Sequence, residues 1–256
     1  ECVDKIFGDL VLDKDGNSSE RVTCEEFHPT DEVEHSLDHN YYFGYDFRLD
    51  PIENAKKLHE YIQEVKALTK HDTVQFRASS MGGVTTMSYI KLYGTKDIET
   101  IIFQCCPLLG TAVAGELYTG KVELNADAIE RYAAQAMPEL ENDFLGGMVY
   151  LLLEMLVTAG LLDELIEIGD ELVLNLKDRV FNEALIPMFA TMPGIWSFVP
   201  HEYYEEAKVF MKLDAVENAK LIERIDFYHY EVQQSAEQLI AESKANGTTF
   251  YNVVGY

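Results

Sequence analysis

The chain has 256 residues, 47% of them hydrophobic, enough to bury a full core as one large domain or as a domain with a cap. Its 45 acidic and 20 basic side chains give a formal charge of −25, which repels phosphate backbones and argues against nucleic acid as a partner. The apolar content is far too high for a disordered chain, so the excess acid reads as a solvated surface.

Residues 1–38 are polar and irregular, with a short strand expected over 9–12 before the turn cluster Asp13-Lys14-Asp15-Gly16-Asn17. The aromatic run 40–48 has high strand propensity and is stopped by Asp50-Pro51. Asp50 is a suitable N-cap and Pro51 a suitable first helical residue. From there Ile52, Ala55, Leu58, His59, Ile62, Val65 and Leu68 recur at helical spacing. Lys70-His71-Asp72 makes a turn, and 73–78 reads as a short strand. A helix through about Leu92 follows, closed by Gly94 in a left-handed cap. The largely apolar run 98–106 reads as a strand buried on both faces.

Long helical segments are then expected at 127–136, 142–159, 161–176 and 201–212, with Pro187, Pro193 and Pro200 breaking the second half. The apolar stretch 144–162 is long enough to span a membrane. Gly146-Gly147, Glu154 and the acidic residues after it, with no basic flank, favour a buried or lid helix instead. Contact with a membrane surface is compatible with that reading; a span is not. A helix over 225–245 and a strand over 249–254 return the chain to the sheet pattern.

Alternating strands and helices imply a mainly parallel sheet flanked by helices. The expected fold class is α/β with a helical cap insertion. Residues 1–107 hold the first part of the core, 108–225 the cap, and 226–256 the return to the core. The chain opens on Glu1 with no leader-like segment and closes as if at a strand end, so both ends read as interior to a longer protein and the fold as incomplete. Cys2 and Cys24 are candidates for pairing, while Cys105 and Cys106 read as buried small hydrophobes. No metal-ligand spacing and no phosphate-binding glycine loop occurs, so neither metal nor cofactor is expected.

The chemistry concentrates at Ala78-Ser79-Ser80-Met81-Gly82-Gly83. A nucleophile elbow needs a strand, one sharply turned serine and a helix, with small residues two before and two after. Ala78 and Gly82 meet that requirement, and Gly83 lets the helix pack closely. Such a turn lifts the Ser80 hydroxyl above the sheet and aims the Met81 N–H at the point where an oxyanion would form.

Ser79-Ser80-Met81-Gly82-Gly83 resembles the G-H-S-M-G-G elbow of lipases and acyltransferases. Tyr45-Asp46-Phe47-Arg48-Leu49, ahead of a helix, resembles the Y-D-W-R segment of the lecithin:cholesterol acyltransferase-like family, at a fitting spacing. Pro193-Gly194-Ile195-Trp196-Ser197-Phe198-Val199-Pro200 is similar to a cap segment of bacterial relatives. The resemblance runs over roughly residues 40–256. It implies an α/β-hydrolase fold and a carboxylic-ester hydrolase or acyltransferase, with Ser80 as nucleophile and Met81 as oxyanion donor; the apolar helices of the expected cap favour a lipid-like acyl ester. The acid and histidine are expected beyond Tyr256. Departures are Ala78 and Ser79, where the family has Gly and His, and the unmatched oxyanion loop in 1–38. They motivate a second class of function, a non-catalytic binding module on the same fold. Asp226 and His229 come in triad order but sit three apart on one expected helix, which favours local packing. Asp46 and Arg48 are expected to fix the corner between strand and helix.

Overall fold

The computed structural model describes residues 8–19, 22, 24, 28, 29, 40–122 and 177–255. The chain divides into two compact units, one of residues 1–119 with 187–256 and one of 120–186. Residues 108–119 and 187–225, inside the expected cap range, thus belong to the unit that holds the sheet. In the second unit the described residues include a π-helical turn, Phe181–Leu185. The expected helices at 127–136, 142–159 and 161–176, the apolar stretch 144–162 and Cys2 lie outside the described residues.

Helix α1, Pro51–Thr69, begins as its residue types dictate: Pro51 needs no N–H partner, and the Asp50 carboxylate accepts from the Ile52 N–H at 2.9 Å. Ile52, Ala55, Leu58, Ile62 and Val65 line its buried face. Strand β1, Val74–Ser79, leads into α2, Gly82–Tyr93. Gly94 ends α2 with φ 68°, but its ψ of −160° lies outside the expected left-handed helical region. Strand β2, Ile98–Gln104, stops two residues before the expected end because Cys105 takes φ 50°. Next come α3, Ala112–Tyr118, then α4, His201–Phe210, and α5, Ala219–Asp226. The helix expected over 225–245 is a composite: α5 runs into a π-helical turn, Phe227–Gln233, and α6, Ala236–Ala245, follows. Strand β3, Thr249–Val253, closes the described fold.

The three strands are all parallel, in the order β1-β2-β3. This sheet with its helices is an α/β arrangement. Helix α2 is its hub and touches α1, β1, the π-turn and α6. Phe76 meets Tyr89 of α2, and Phe103 meets Phe250, over which the Lys244 ammonium of α6 sits. The opposite face departs from the expectation for β2. Ile98, Ile101 and Phe103 are buried, but Glu99 is exposed and Thr100, Ile102 and Gln104 are half-buried. Their register neighbours Gln75, Arg77, Ser79, Thr249, Tyr251 and Val253 are exposed too, so the described helices cover one side of the sheet.

Two expected strands are absent. Residues 8–10 form a 3₁₀ turn, and 40–46 are irregular. The polar groups of the second segment go to side chains and a turn instead of a ladder. The Arg48 N–H donates to the Asp46 carboxylate, Asn54 Nδ2 donates to the Asp46 carbonyl, and the Leu49 N–H donates to the same carbonyl. The aromatic rings pack: Phe43 lies 5.6 Å from Tyr61 and 5.8 Å from Tyr45, between ring centroids.

The Asp50 cap carries a pH dependence. Burial pushes its carboxyl up to about 6, against the Ile52 N–H that favours the charged form. An unfolded aspartate titrates near 3.9, so the fold prefers protonated Asp50. That contribution is complete below about pH 4 and is lost as pH rises through about 6. Asn caps a helix as well as Asp and stays neutral. Asp50→Asn is therefore expected to match the wild type near pH 4 and to be more stable at pH 8, by up to about 3 kcal/mol. Urea melts of both proteins at the two pH values measure the difference; a constant difference would contradict it.

Candidate active site

Strand β1 ends at Ser79, Ser80 takes φ 47°, and α2 starts at Gly82. A positive φ at a serine is uncommon and costs of order 1–3 kcal/mol. Four bonds hold it. The Ser80 N–H donates to the Gln104 carbonyl at 3.0 Å, continuing the β1–β2 ladder one residue past the strand. The Ser80 carbonyl accepts from the Gly83 N–H, and the Met81 carbonyl accepts from Val84 and Thr85. The turn expected at Ser80 is therefore present, between a parallel strand and a helix.

Met81 sits at φ −58° and ψ −21°, with no side-chain cap on the helix. Among the described residues no acceptor meets its N–H, which stands at the positive end of the 12-residue α2. The Ser80 hydroxyl, half-buried, makes no hydrogen bond among the described residues.

Small residues matter here, but not equally. A Cβ added at Gly82 would meet the Ala78 Cβ at 3.6 Å, an ordinary contact, so the Ala–Gly pair just fills its space. Gly83 is the tight position: a Cβ there would lie 2.5 Å from the Cys106 Cβ and 2.8 Å from its Sγ. Cys106 is held beneath the elbow, its thiol 3.2 Å from the Ala78 carbonyl, and burial pushes the thiol up. Tyr45 neighbours Thr85 and Cys106, and burial raises its phenol. The segments 45–49 and 79–83 thus meet at the first turn of α2.

Arg48 is 1% exposed. Its Nε and Nη2 form a fork on the Asp46 carboxylate at 2.9 and 2.6 Å, Nη1 donates to the Leu10 carbonyl at 2.9 Å, and Nη2 donates to Ser18 Oγ at 2.8 Å. Burial pulls the Asp46 carboxyl upward, but the hydrogen bonds from Arg48 outweigh it and hold it below the usual range. The pair forms as expected, but it fixes a turn between the irregular segment 40–46 and α1 and not a strand end, and it also anchors residues 9–18, which the sequence did not indicate.

The segment 193–200 is buried throughout. The Gly194 N–H donates to the Arg48 carbonyl, and the Phe198 carbonyl accepts from the Thr111 N–H at 2.8 Å. From the π-turn, His229 Nε2 meets the Trp196 carbonyl at 3.0 Å, and Gln233 Nε2 donates to the Ser197 and Val199 carbonyls. This buried strap ties the 46–49 corner to the loop that follows β2.

His229 is fully buried and stacks on Tyr204 at 3.8 Å. Burial pushes its pKa down to about 3, so it is a neutral donor to Trp196. Asp226 accepts from the Tyr204 hydroxyl at 2.5 Å and from Lys208 at 3.1 Å. Both act in packing, as the spacing suggested. His59 stacks on Tyr93 at 4.0 Å, and His201 contacts Gln234 and Tyr230. His28 and His71 are exposed, while His35 and His39 lie outside the described residues. Among the described residues no imidazole is bonded to Ser80.

Both Cys105 and Cys106 were expected to be buried; Cys105 is exposed and Cys106 half-buried. Leu109 and Val113, on the loop after β2 and on α3, are also exposed. Among the described residues no group of three His, Cys, Asp or Glu side chains could hold a metal ion, and no helix is long and apolar enough to cross a membrane. The chain matches no protein-family model, no curated protein and no solved structure.

Proposed function

We propose that this chain belongs to a serine-nucleophile acyl-transfer enzyme of the α/β-hydrolase type, acting on carboxylic, lipid-like esters as a hydrolase or acyltransferase. The observation that carries the reading is Ser80 at φ 47° between a parallel strand and a helix, with its hydroxyl unbonded among the described residues. In this reading Ser80 Oγ attacks the ester carbonyl and its proton passes to a base. The Met81 N–H and the α2 N-terminus stabilise the oxyanion. The alcohol leaves, and water or a second alcohol then takes the acyl group from Ser80. A histidine base and its acid are supplied by residues other than those described. Exposed Leu109 and Val113, on the loop after β2 and on α3, favour an apolar acyl chain.

One observation favours the second reading, a binding module that keeps the fold without catalysis: the described histidines are engaged elsewhere or exposed. A fluorophosphonate probe applied to the full-length protein separates the two. The acyl-transfer reading expects one adduct, mapped by peptide mass spectrometry to Ser80. A folded protein that stays unlabelled would support the binding module.

A further inference from the structure

Three carbonyls of the buried strap, those of Trp196, Ser197 and Val199, are held by only two side chains of the π-turn Phe227–Gln233. Gln233 Nε2 donates to Ser197 and Val199 at 3.2 and 3.0 Å, which fixes its amide, since the reverse orientation would set oxygen against two oxygens. His229 Nδ1 and Gln233 Oε1 are both buried and meet no donor among the described residues. The neutral ring therefore carries its one proton on Nε2, toward Trp196, and Nδ1 keeps a bare lone pair in a dry interior.

The groups around the ring do not welcome a second proton. Helix α4 brings His201, Tyr204, Glu205 and Lys208, α5 brings Asp226, and α2 brings Lys91; Tyr228, Tyr230 and Glu231 lie on the turn itself. Each of these carboxylates is already engaged: Asp226 by Tyr204 and Lys208, Glu205 by Tyr230 and Lys208, and Glu231 by Lys91 at 2.7 Å. Burial is the largest cause of the low pKa of about 3, and the charges of His201 and Lys208 add to it, against the Trp196 and Gln233 bonds that favour the cation. A histidine in water titrates near 6.5.

The strap also reaches the loop after β2. The Phe198 carbonyl accepts from the Thr111 N–H, a Cβ on Gly110 would lie 2.7 Å from that same oxygen, and Leu108 lies against Gly83 at the first turn of α2. We propose that His229 is an acid-sensitive latch: on taking up a proton its ring leaves the Trp196 carbonyl for water, and the strap and the loop 107–111 open while the sheet stays folded. The closed state prefers the neutral ring, so the latch holds fully above about pH 6.5 and weakens as pH falls toward 3. π-Helical turns are rare and recur at functional sites, and local opening of one segment needs less than global unfolding. The latch works whether or not Ser80 is a nucleophile, and its test reads no catalysis.

Hydrogen–deuterium exchange on the full-length protein at pH 7 and 4.5, corrected for intrinsic exchange, measures the opening. The Gly194 and Thr111 amides are expected to open about 50- to 100-fold more often at pH 4.5, with the β1 and β2 amides unchanged. Fluorescence of Trp196, the one tryptophan of the chain, should move to the red over the same range. His229→Gln, whose amide donates without titrating, should stay closed in acid, whereas His201→Gln, a change at the exposed neighbour, should open like the wild type. The NMR signals of the His229 ring in the wild type need no variant to fold: they should change only as the strap amides open. A ring that titrates near 6.5 with the strap closed overturns the latch. So does acid opening that persists in His229→Gln, and so does exchange that rises equally across the sheet.

Discussion

On the proposed acyl-transfer reading, Ser80→Ala is expected to lower ester turnover by about 10³-fold or more, because it would remove the atom that forms the acyl intermediate and leave only binding and oxyanion stabilisation. The same position gives a sharper test through stability. Ser80 is held at φ 47°, a conformation that glycine adopts without strain. Ser80→Gly should therefore be inactive and yet more stable, by about 1 kcal/mol, a rise in melting temperature of roughly 2–4 °C. Loss of function with a gain in stability is the signature of strain kept for chemistry. Calorimetry alongside a turnover assay on a short-chain aryl ester checks both arms. A Ser80→Gly protein that turns over the ester like the wild type would remove Ser80 from the mechanism.

Gly194→Ala is expected to be the most damaging single methyl in the described fold. A Cβ at Gly194 would lie 1.9 Å from the Phe47 carbonyl oxygen and 2.9 Å from that of Leu49. Both obstacles are backbone atoms, fixed by the Asp46–Arg48 fork, by the Leu49 turn and by the Gly194 N–H bond to Arg48. No rotamer change relieves the overlap, so the buried strap must separate from the corner. The cost should reach about 4 kcal/mol or more, in the range reserved for broken cores. The melting temperature should fall by roughly 8–16 °C. Gly8→Ala is the control, since nothing lies within 4 Å of its added Cβ. Chemical denaturation of both variants measures the contrast; a Gly194→Ala protein as stable as Gly8→Ala would refute the packing argument.

Individual elements show where sequence reading holds and where it stops. Helix α1 was legible because its information is local: Asp50 caps it, Pro51 starts it, and its apolar residues repeat at helical spacing. The elbow was legible for the same reason, as small residues around one serine between two apolar runs. Residues 40–46 were misread because aromatic rings have strand propensity wherever they stand. Their backbone is instead engaged by Asp46 and Asn54, and no neighbouring strand is present among the described residues. The break at Phe227–Gln233 carries no proline or glycine, so periodicity ran straight through it. Cys105 was read as core because its apolar neighbours suggested a strand to its end, whereas a positive φ turns it out.

By itself the sequence determined a parallel α/β pattern and the one serine that its turn presents, since caps, periods and small-residue constraints act within a few positions along the chain. Only the tertiary structure decided that Arg48 anchors residues 9–18, that His229 props a buried strap while no described imidazole is bonded to Ser80, and that Cys105 stands beside it. Those facts depend on pairings between positions 25 or more residues apart, and a partner brought in by folding leaves no periodic mark in the sequence near either residue.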